Sequence, residues 1–150
     1  MKKSLVCMTL AFFASSAMFA QSAAKLSEII STEKATCAQV SYLAAAYTNR
    51  ITEDDTPQKA FEALSNDGCL PQHLSEDSEV SLGDVSYIFT KSLGISGGLF
   101  YTLFPSKRYA FKELKAKKIL PQEADPSMAV SGRDSLDIFN DCTTLAEGAN

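Results

Sequence analysis

The chain matches itself without a gap when it is shifted by 50 residues. Between residues 60–89 and residues 110–139, 11 of the 30 aligned pairs are identical, whereas about two would arise by chance from the few residue types that dominate proteins. The shared pattern reads AFxxLxxxxxLPQ, then a polar loop, then VSxxDxxxIF. Such self-similarity is typical of repeat folds, in which each unit buries its apolar face against a neighbouring unit.

A partial third copy precedes the two long ones. Residues 40–43 (VSYL) resemble residues 85–88 (VSYI) at an offset of 45. In each copy a hydroxyl residue is followed three positions later by Gln or Asp, in the pairs Thr36 and Gln39, Ser81 and Asp84, and Ser131 and Asp134. This is the spacing of a capping box, in which the hydroxyl accepts from a first-turn N–H and the later side chain reaches back. We therefore expect three helices to begin at these hydroxyl residues.

Together these patterns predict an all-α fold of repeated helical hairpins. Val40, Leu43, Ala44 and Tyr47 have the i, i+3, i+4, i+7 spacing of one buried helical stripe. The predicted helices cover residues 36–47, 57–67, 81–93, 106–118 and 131–145, with brief extended pieces around Leu70, Val80, Leu120 and Val130. We expect one compact domain over 36–150, divided into a partial unit 36–55 and two full units, 56–105 and 106–150.

The first twenty residues have the order of a secretory signal peptide. Lys2 and Lys3 precede an apolar run over residues 5–13, and small residues follow. The run is shorter than the roughly 20 residues that a transmembrane helix needs. We expect a signal peptide over 1–20, cleaved between residues 17 and 24, then a lead segment over 21–35. The protein is thus expected to be exported, to the periplasm or the cell surface.

Composition argues against several classes of function. Removing Lys2 and Lys3 changes the net charge from −4 to −6, and nucleic-acid binding depends on basic surface instead. A second long apolar run does not occur, so no integral membrane span is expected. The sequence has no CxxC or HxxxH spacing, so we expect neither a metal nor another cofactor.

Three cysteines follow the predicted leader, namely Cys37, Cys69 and Cys142. Helices 36–47 and 57–67 are joined by a short turn and are expected to form an antiparallel hairpin. Their outer ends would then place Cys37 beside Cys69. In an oxidising compartment this arrangement predicts a disulfide between them and leaves Cys142 free.

The helix-start strings resemble the I-T-R-A-E motif of the S-layer homology module. The corresponding strings here are ATCAQ at 35–39, VSLGD at 80–84 and VSGRD at 130–134. The resemblance implies three helix–loop–helix copies over roughly residues 35–145 and attachment to envelope polysaccharide. The position that the family fills with arginine holds Cys37, Leu82 and Gly132, and Arg133 lies one place later. The resemblance therefore predicts the fold more than the ligand.

Two neighbouring segments are candidates for ligand binding. Half of the Lys and Arg residues left after processing lie in one stretch, namely Lys107, Arg108, Lys112, Lys115, Lys117 and Lys118. They fit either an anion-binding face or an ordinary solvated helix. The apolar segment 94–105 comes just before and has no counterpart in the other copies. Tyr101 and Phe104 are either stacking faces of a groove or a plug between two repeats.

These observations favour a non-enzymatic protein of the cell envelope. The predicted ligand-binding residues are Tyr101, Phe104, Lys107, Arg108, Lys112 and Arg133. The expected partner is an anionic cell-wall polymer or another envelope protein. The alternative is an adaptor that binds only proteins, through the segment Gly94–Tyr109. GxSxG and HExxH motifs and a phosphate-binding glycine loop are all missing from the sequence, so no catalytic residue is predicted.

Overall fold

The computed structural model describes residues 22–148, and these residues are folded into seven helices without a named strand. The all-α prediction is therefore confirmed. Helix α1 covers residues 22–31, and the others are α2 (Cys37–Tyr47), α3 (Pro57–Asn66), α4 (Leu82–Ser92), α5 (Leu99–Leu103), α6 (Lys107–Ala116) and α7 (Gly132–Gly148). The predicted signal peptide lies outside the described residues.

Helices α2, α4 and α7 begin directly after the hydroxyl residues at which we predicted helix starts. Thr36 and Ser81 form complete capping boxes at α2 and α4, with the reciprocal bonds to Gln39 and Asp84 both present. Before α7, the Ser131 hydroxyl accepts from the Asp134 N–H at 3.1 Å. Side-chain oxygens at these positions satisfy N–H groups that have no partner within the helix. Local sequence thus fixes these helix starts.

Helices α2, α4 and α7 form the centre of the molecule, and each of them contacts the other two. Short backbone links join the segments just before them. The Ala35 N–H donates to the Val130 carbonyl at 2.8 Å, and the Val80 N–H donates to the Ala35 carbonyl at 3.0 Å. The three central helices therefore start at the same end of the bundle. Helix α3 covers α2, and α6 covers α4.

Of the 11 positions that are identical at the 50-residue spacing, five are buried in both copies. The buried pairs are Ala60 and Ala110, Leu64 and Leu114, Leu70 and Leu120, Val80 and Val130, and Ile88 and Ile138. Phe111 is also buried, whereas Phe61 is half-buried against the core. Burial of these apolar side chains is the main favourable contribution to folding.

The predicted disulfide between Cys37 and Cys69 is wrong. Cys37, Cys69 and Cys142 are free and buried in separate places. Cys37 lies in the first turn of α2, while Cys69 lies near Arg50, just beyond the other end of that helix. The 11 residues of α2 span about 16 Å, and a disulfide requires Cα atoms within about 7 Å.

The turn between α2 and α3 explains this error. The Tyr42 hydroxyl donates to the Glu53 carbonyl at 2.8 Å, so the turn runs back along α2 before α3 begins. The end of α3 then returns to the end of α2, where Arg50 and Asp67 form an ion pair at 2.6 Å. The expected antiparallel hairpin would have required the turn to leave α2 directly.

Burial raises the pKa of Cys142 to about 12, which keeps this thiol protonated.

Candidate binding surface

Helix α5 presents four large apolar side chains to solvent. Leu99 is 71% exposed, Phe100 63%, Leu103 59% and Phe104 65%. We call these four residues the α5 surface. A contiguous patch of exposed apolar side chains often marks a site of interaction with a protein, a ligand or a membrane. The structure therefore places Phe104, one of the predicted binding residues, at the surface and not in a plug.

Tyr101 anchors this short helix to the core. Its side chain is buried, and its hydroxyl lies 2.9 Å from the buried Thr90 hydroxyl of α4. Burial raises the pKa of Tyr101, so the phenol stays neutral. A second link joins α5 to α6, because the Gly98 N–H donates to the Glu113 carboxylate at 2.8 Å. Tyr101 is therefore buried, as the interpretation of the segment as a plug predicts, whereas Phe104 is exposed, as the interpretation as a stacking face predicts.

The α5 surface continues onto the first turns of α6. The ring of Phe100 stacks on that of Tyr109 with their centroids 6.0 Å apart. The Lys112 ammonium lies 5.9 Å from the Tyr109 ring, a cation–π arrangement. Arg108 lies one helical turn before Lys112, and both residues are exposed. Apolar, aromatic and cationic groups therefore form one continuous area.

The other lysines of this region differ in their surroundings. Lys107 forms an ion pair at 2.9 Å with Asp84 of α4. Lys115 donates to the carbonyl oxygens of Gln122 and Ala124. These two ammonium groups already make intramolecular contacts, while Lys117 and Lys118 are exposed at the end of α6. Of the predicted basic residues, Arg108 and Lys112 are therefore the exposed ones in the first two turns of α6.

A buried carboxylate joins α4, α6 and the preceding loop. The Asp84 side chain is 5% exposed, and His73 Nε2 lies 3.7 Å from its Oδ1. Burial raises the pKa of this carboxyl, but the hydrogen bonds from Ser81 and Lys107 outweigh burial, so the net pKa is lowered. The carboxylate therefore remains ionised and caps α4. Sequence analysis identified the cap but missed Lys107 and His73, because both are distant along the chain.

An apolar groove with an acidic edge runs along α7. We call it the α7 groove; it encloses about 260 Å³, and its apolar lining includes Leu82, Ile119, Leu120, Pro121, Met128, Val130 and Ile138. Asp134, Asp137 and Asp141 form its edge and are exposed. Sequence analysis missed this groove, although the i, i+3, i+7 spacing of the three aspartates marks one face of a helix. Arg133, another predicted binding residue, is exposed in the first turn of the same helix.

Within residues 22–148, no group of three or more His, Cys, Asp or Glu side chains is arranged to hold a metal ion. Among the helices of this described part, none combines the length and the apolar character needed to cross a bilayer.

No family model, no curated protein and no solved structure matches the chain.

Proposed function

We propose that this protein is an exported, non-enzymatic binding protein of the cell envelope, and that the α5 surface holds its partner. The supporting observation is that four large apolar side chains, 59–71% exposed, stand on a helix anchored from below by Tyr101. Their exposure is unfavourable in an isolated molecule, because fully burying one large apolar side chain is more favourable than leaving it in water by about 1.5–3 kcal/mol. A partner that covers them would recover part of this free energy.

Export is supported by the order of charged, apolar and small residues in the first twenty positions. A repeat fold is supported by the shared burial of apolar positions 50 residues apart and by the capping motifs before α2, α4 and α7. These features fit the resemblance to S-layer homology modules and point to a role in attachment at the envelope.

A protein of the envelope is the partner that we favour. Its apolar side chains would bury Leu99, Leu103 and Phe104 at the centre of an interface, where aromatic and aliphatic groups contribute most of the affinity. An anionic wall polymer is the second candidate. The specific observation that favours it is the pair of exposed cations, Arg108 and Lys112, beside the stacked rings of Phe100 and Tyr109.

Two double variants separate these candidates. Leu103→Ser/Phe104→Ser removes apolar area, and Arg108→Ala/Lys112→Ala removes charge from exposed positions. Each is tested by sedimentation with purified peptidoglycan carrying its attached polymers, and by capture of partners from a detergent-solubilised envelope fraction. Lys34→Ala/Lys91→Ala is the matched control, because it removes the same charge from exposed positions elsewhere.

The protein-partner proposal predicts that the serine variant loses a discrete partner, whereas the alanine variant, which keeps the apolar contact, binds that partner less weakly than the serine variant does. The polymer candidate predicts the reverse, with binding that weakens as salt increases because exposed charges are screened. Wild-type levels of binding in both variants would contradict the α5 surface as the binding site.

A further inference from the structure

We infer that the partner held by the α5 surface is a second copy of this chain, and that the second copy receives it in its α7 groove. This inference rests on the proposed function, because it takes the α5 surface as the binding surface. It goes further by naming the occupant and the place where the occupant binds. The two surfaces lie on different helices of one molecule, so a copy can offer both at once.

The molecule already contains a contact of this kind. Tyr101 and Lys107 contact α4 at two points along its length. The Tyr101 hydroxyl reaches Thr90 at 2.9 Å, and the Lys107 ammonium reaches Asp84 at 2.9 Å. An aromatic side chain and a cation from one segment thus pack on a helix whose first turn carries a capping aspartate.

The corresponding face of α7 is exposed at its edge, at Pro121 and Asp134, whereas Leu120, Val130 and Ile138 at its floor are buried. Shifting Leu70, Pro71, Val80, Asp84 and Ile88 by 50 residues gives Leu120, Pro121, Val130, Asp134 and Ile138, all of which line the α7 groove. Met128 in this groove is 52% exposed. The α7 groove therefore has the lining of the covered face of α4, and in the described part of the chain it is a cleft of about 260 Å³.

The charges of the two surfaces are complementary and equally spaced. Arg108 and Lys112 are four residues apart on α6, and Asp137 and Asp141 are four residues apart on α7. Each pair is therefore separated by about 6 Å along its helix axis. Like charges at this spacing destabilise a helix, so both helices gain when the cations face the carboxylates. The apolar side chains of the α5 surface would meet Ile119 and Met128 of the groove.

A contact between two different surfaces is heterologous. Two copies that exchange both surfaces reciprocally close into a dimer, and copies that do not exchange them reciprocally form a larger ring or an open chain. Self-association should therefore depend on concentration.

Charge reversal tests the pairing directly. In Arg108→Glu/Lys112→Glu the α6 charges repel the native groove, and in Asp137→Lys/Asp141→Lys the groove repels the native α6 charges. Each variant alone should associate about tenfold or more weakly than wild type. In an equimolar mixture every contact joins opposite charges, so sedimentation equilibrium should again show masses above that of one copy. Glu62→Lys/Asp77→Lys is the matched control, because it reverses two exposed carboxylates elsewhere and should associate as wild type does.

Three results would overturn the inference. They are a wild-type protein that stays monomeric at every concentration, association that survives Asp137→Lys/Asp141→Lys, and a mixture that fails to restore association. The proposed function fails separately. A monomeric protein whose binding to a wall polymer or another envelope protein is lost in Leu103→Ser/Phe104→Ser would retain the proposed function and reject self-association. Circular dichroism of each variant establishes that the helices are intact.

Discussion

The faces of α4 and α7 share a sequence motif but differ in what covers them. Asp84 of α4 is buried under Lys107 and next to His73. Asp134 of α7 is exposed and bonds to the Ser131 hydroxyl at 2.7 Å. At both helices the serine hydroxyl accepts from the N–H three residues later, because this bond depends only on local spacing, and at α4 the Ser81 N–H also donates back to Asp84. The difference teaches that burial and pairing of the aspartate depend on a distant segment, here the start of α6.

The largest expected effect is a difference in stability loss when a glycine in the first turn of each helix is replaced by alanine. A Cβ added at Gly132 would lie 1.6 Å from the Ile29 carbonyl oxygen, which is backbone. A Cβ added at Gly83 would lie 2.6 Å from a side-chain carbon of Lys107, which can move, and 3.1 Å from the Pro126 carbonyl oxygen. Gly132→Ala should lower the free energy of unfolding by about 3 kcal/mol and Gly83→Ala by about 1 kcal/mol. Urea unfolding of both variants measures this, and an equal loss would contradict the close packing of α1 on α7.

Removing the two capping aspartates compares the buried and exposed caps. Asp84→Ala should lower the free energy of unfolding by about 2 kcal/mol, because Lys107 loses its partner and α4 loses its cap. This value is below that of a fully buried pair, since the Lys107 side chain is 39% exposed. Asp134→Ala should cost about 0.5 kcal/mol, the lower end for a cap. If thermal and urea unfolding show the same loss for both variants, the cover over α4 contributes nothing to stability.

Acid should weaken the α4 cap. The pKa of Asp84 is lower in the folded protein than its ordinary value, so its stabilising contribution is complete above about pH 4 and is lost as the pH falls through the folded pKa. Asp55 and Asp125 also have lowered pKa values, so the useful quantity is the difference between wild type and Asp84→Asn. This difference should shrink as the pH falls from 5 to about 2. A difference that stays constant over this interval would mean that Asp84 is not ionised in the native state.

The smallest effect compares the inner and outer sides of α5. Tyr101→Phe removes the hydrogen bond to Thr90 and should lower the free energy of unfolding by about 1 kcal/mol. Phe104→Ser changes an exposed side chain and should leave stability within about 0.5 kcal/mol of wild type. Differential scanning calorimetry of the two variants measures both changes. A large loss for Phe104→Ser would show that this ring packs inside the molecule.

The sequence predicted what depends on local spacing. Five helix positions and the capping residues were readable because periodicity and capping act within a few residues. Helix α1 lies in the lead segment 21–35, for which no helix is predicted, although Leu26, Ile29 and Ile30 have helical spacing. The path of the 48–56 turn, which separates Cys37 from Cys69, depends on the contact between Tyr42 and Glu53. The cover of Lys107 over Asp84 likewise requires the tertiary fold.

Hydrogen–deuterium exchange of the wild-type protein at low and high concentration tests most directly whether the α5 surface and the α7 groove form one contact. Our account predicts that residues 99–112 and residues 128–141 gain protection together as the concentration rises. Residues 37–47 of the already covered α2 should stay unchanged. Protection gained by only one of the two segments, or by neither, would contradict it.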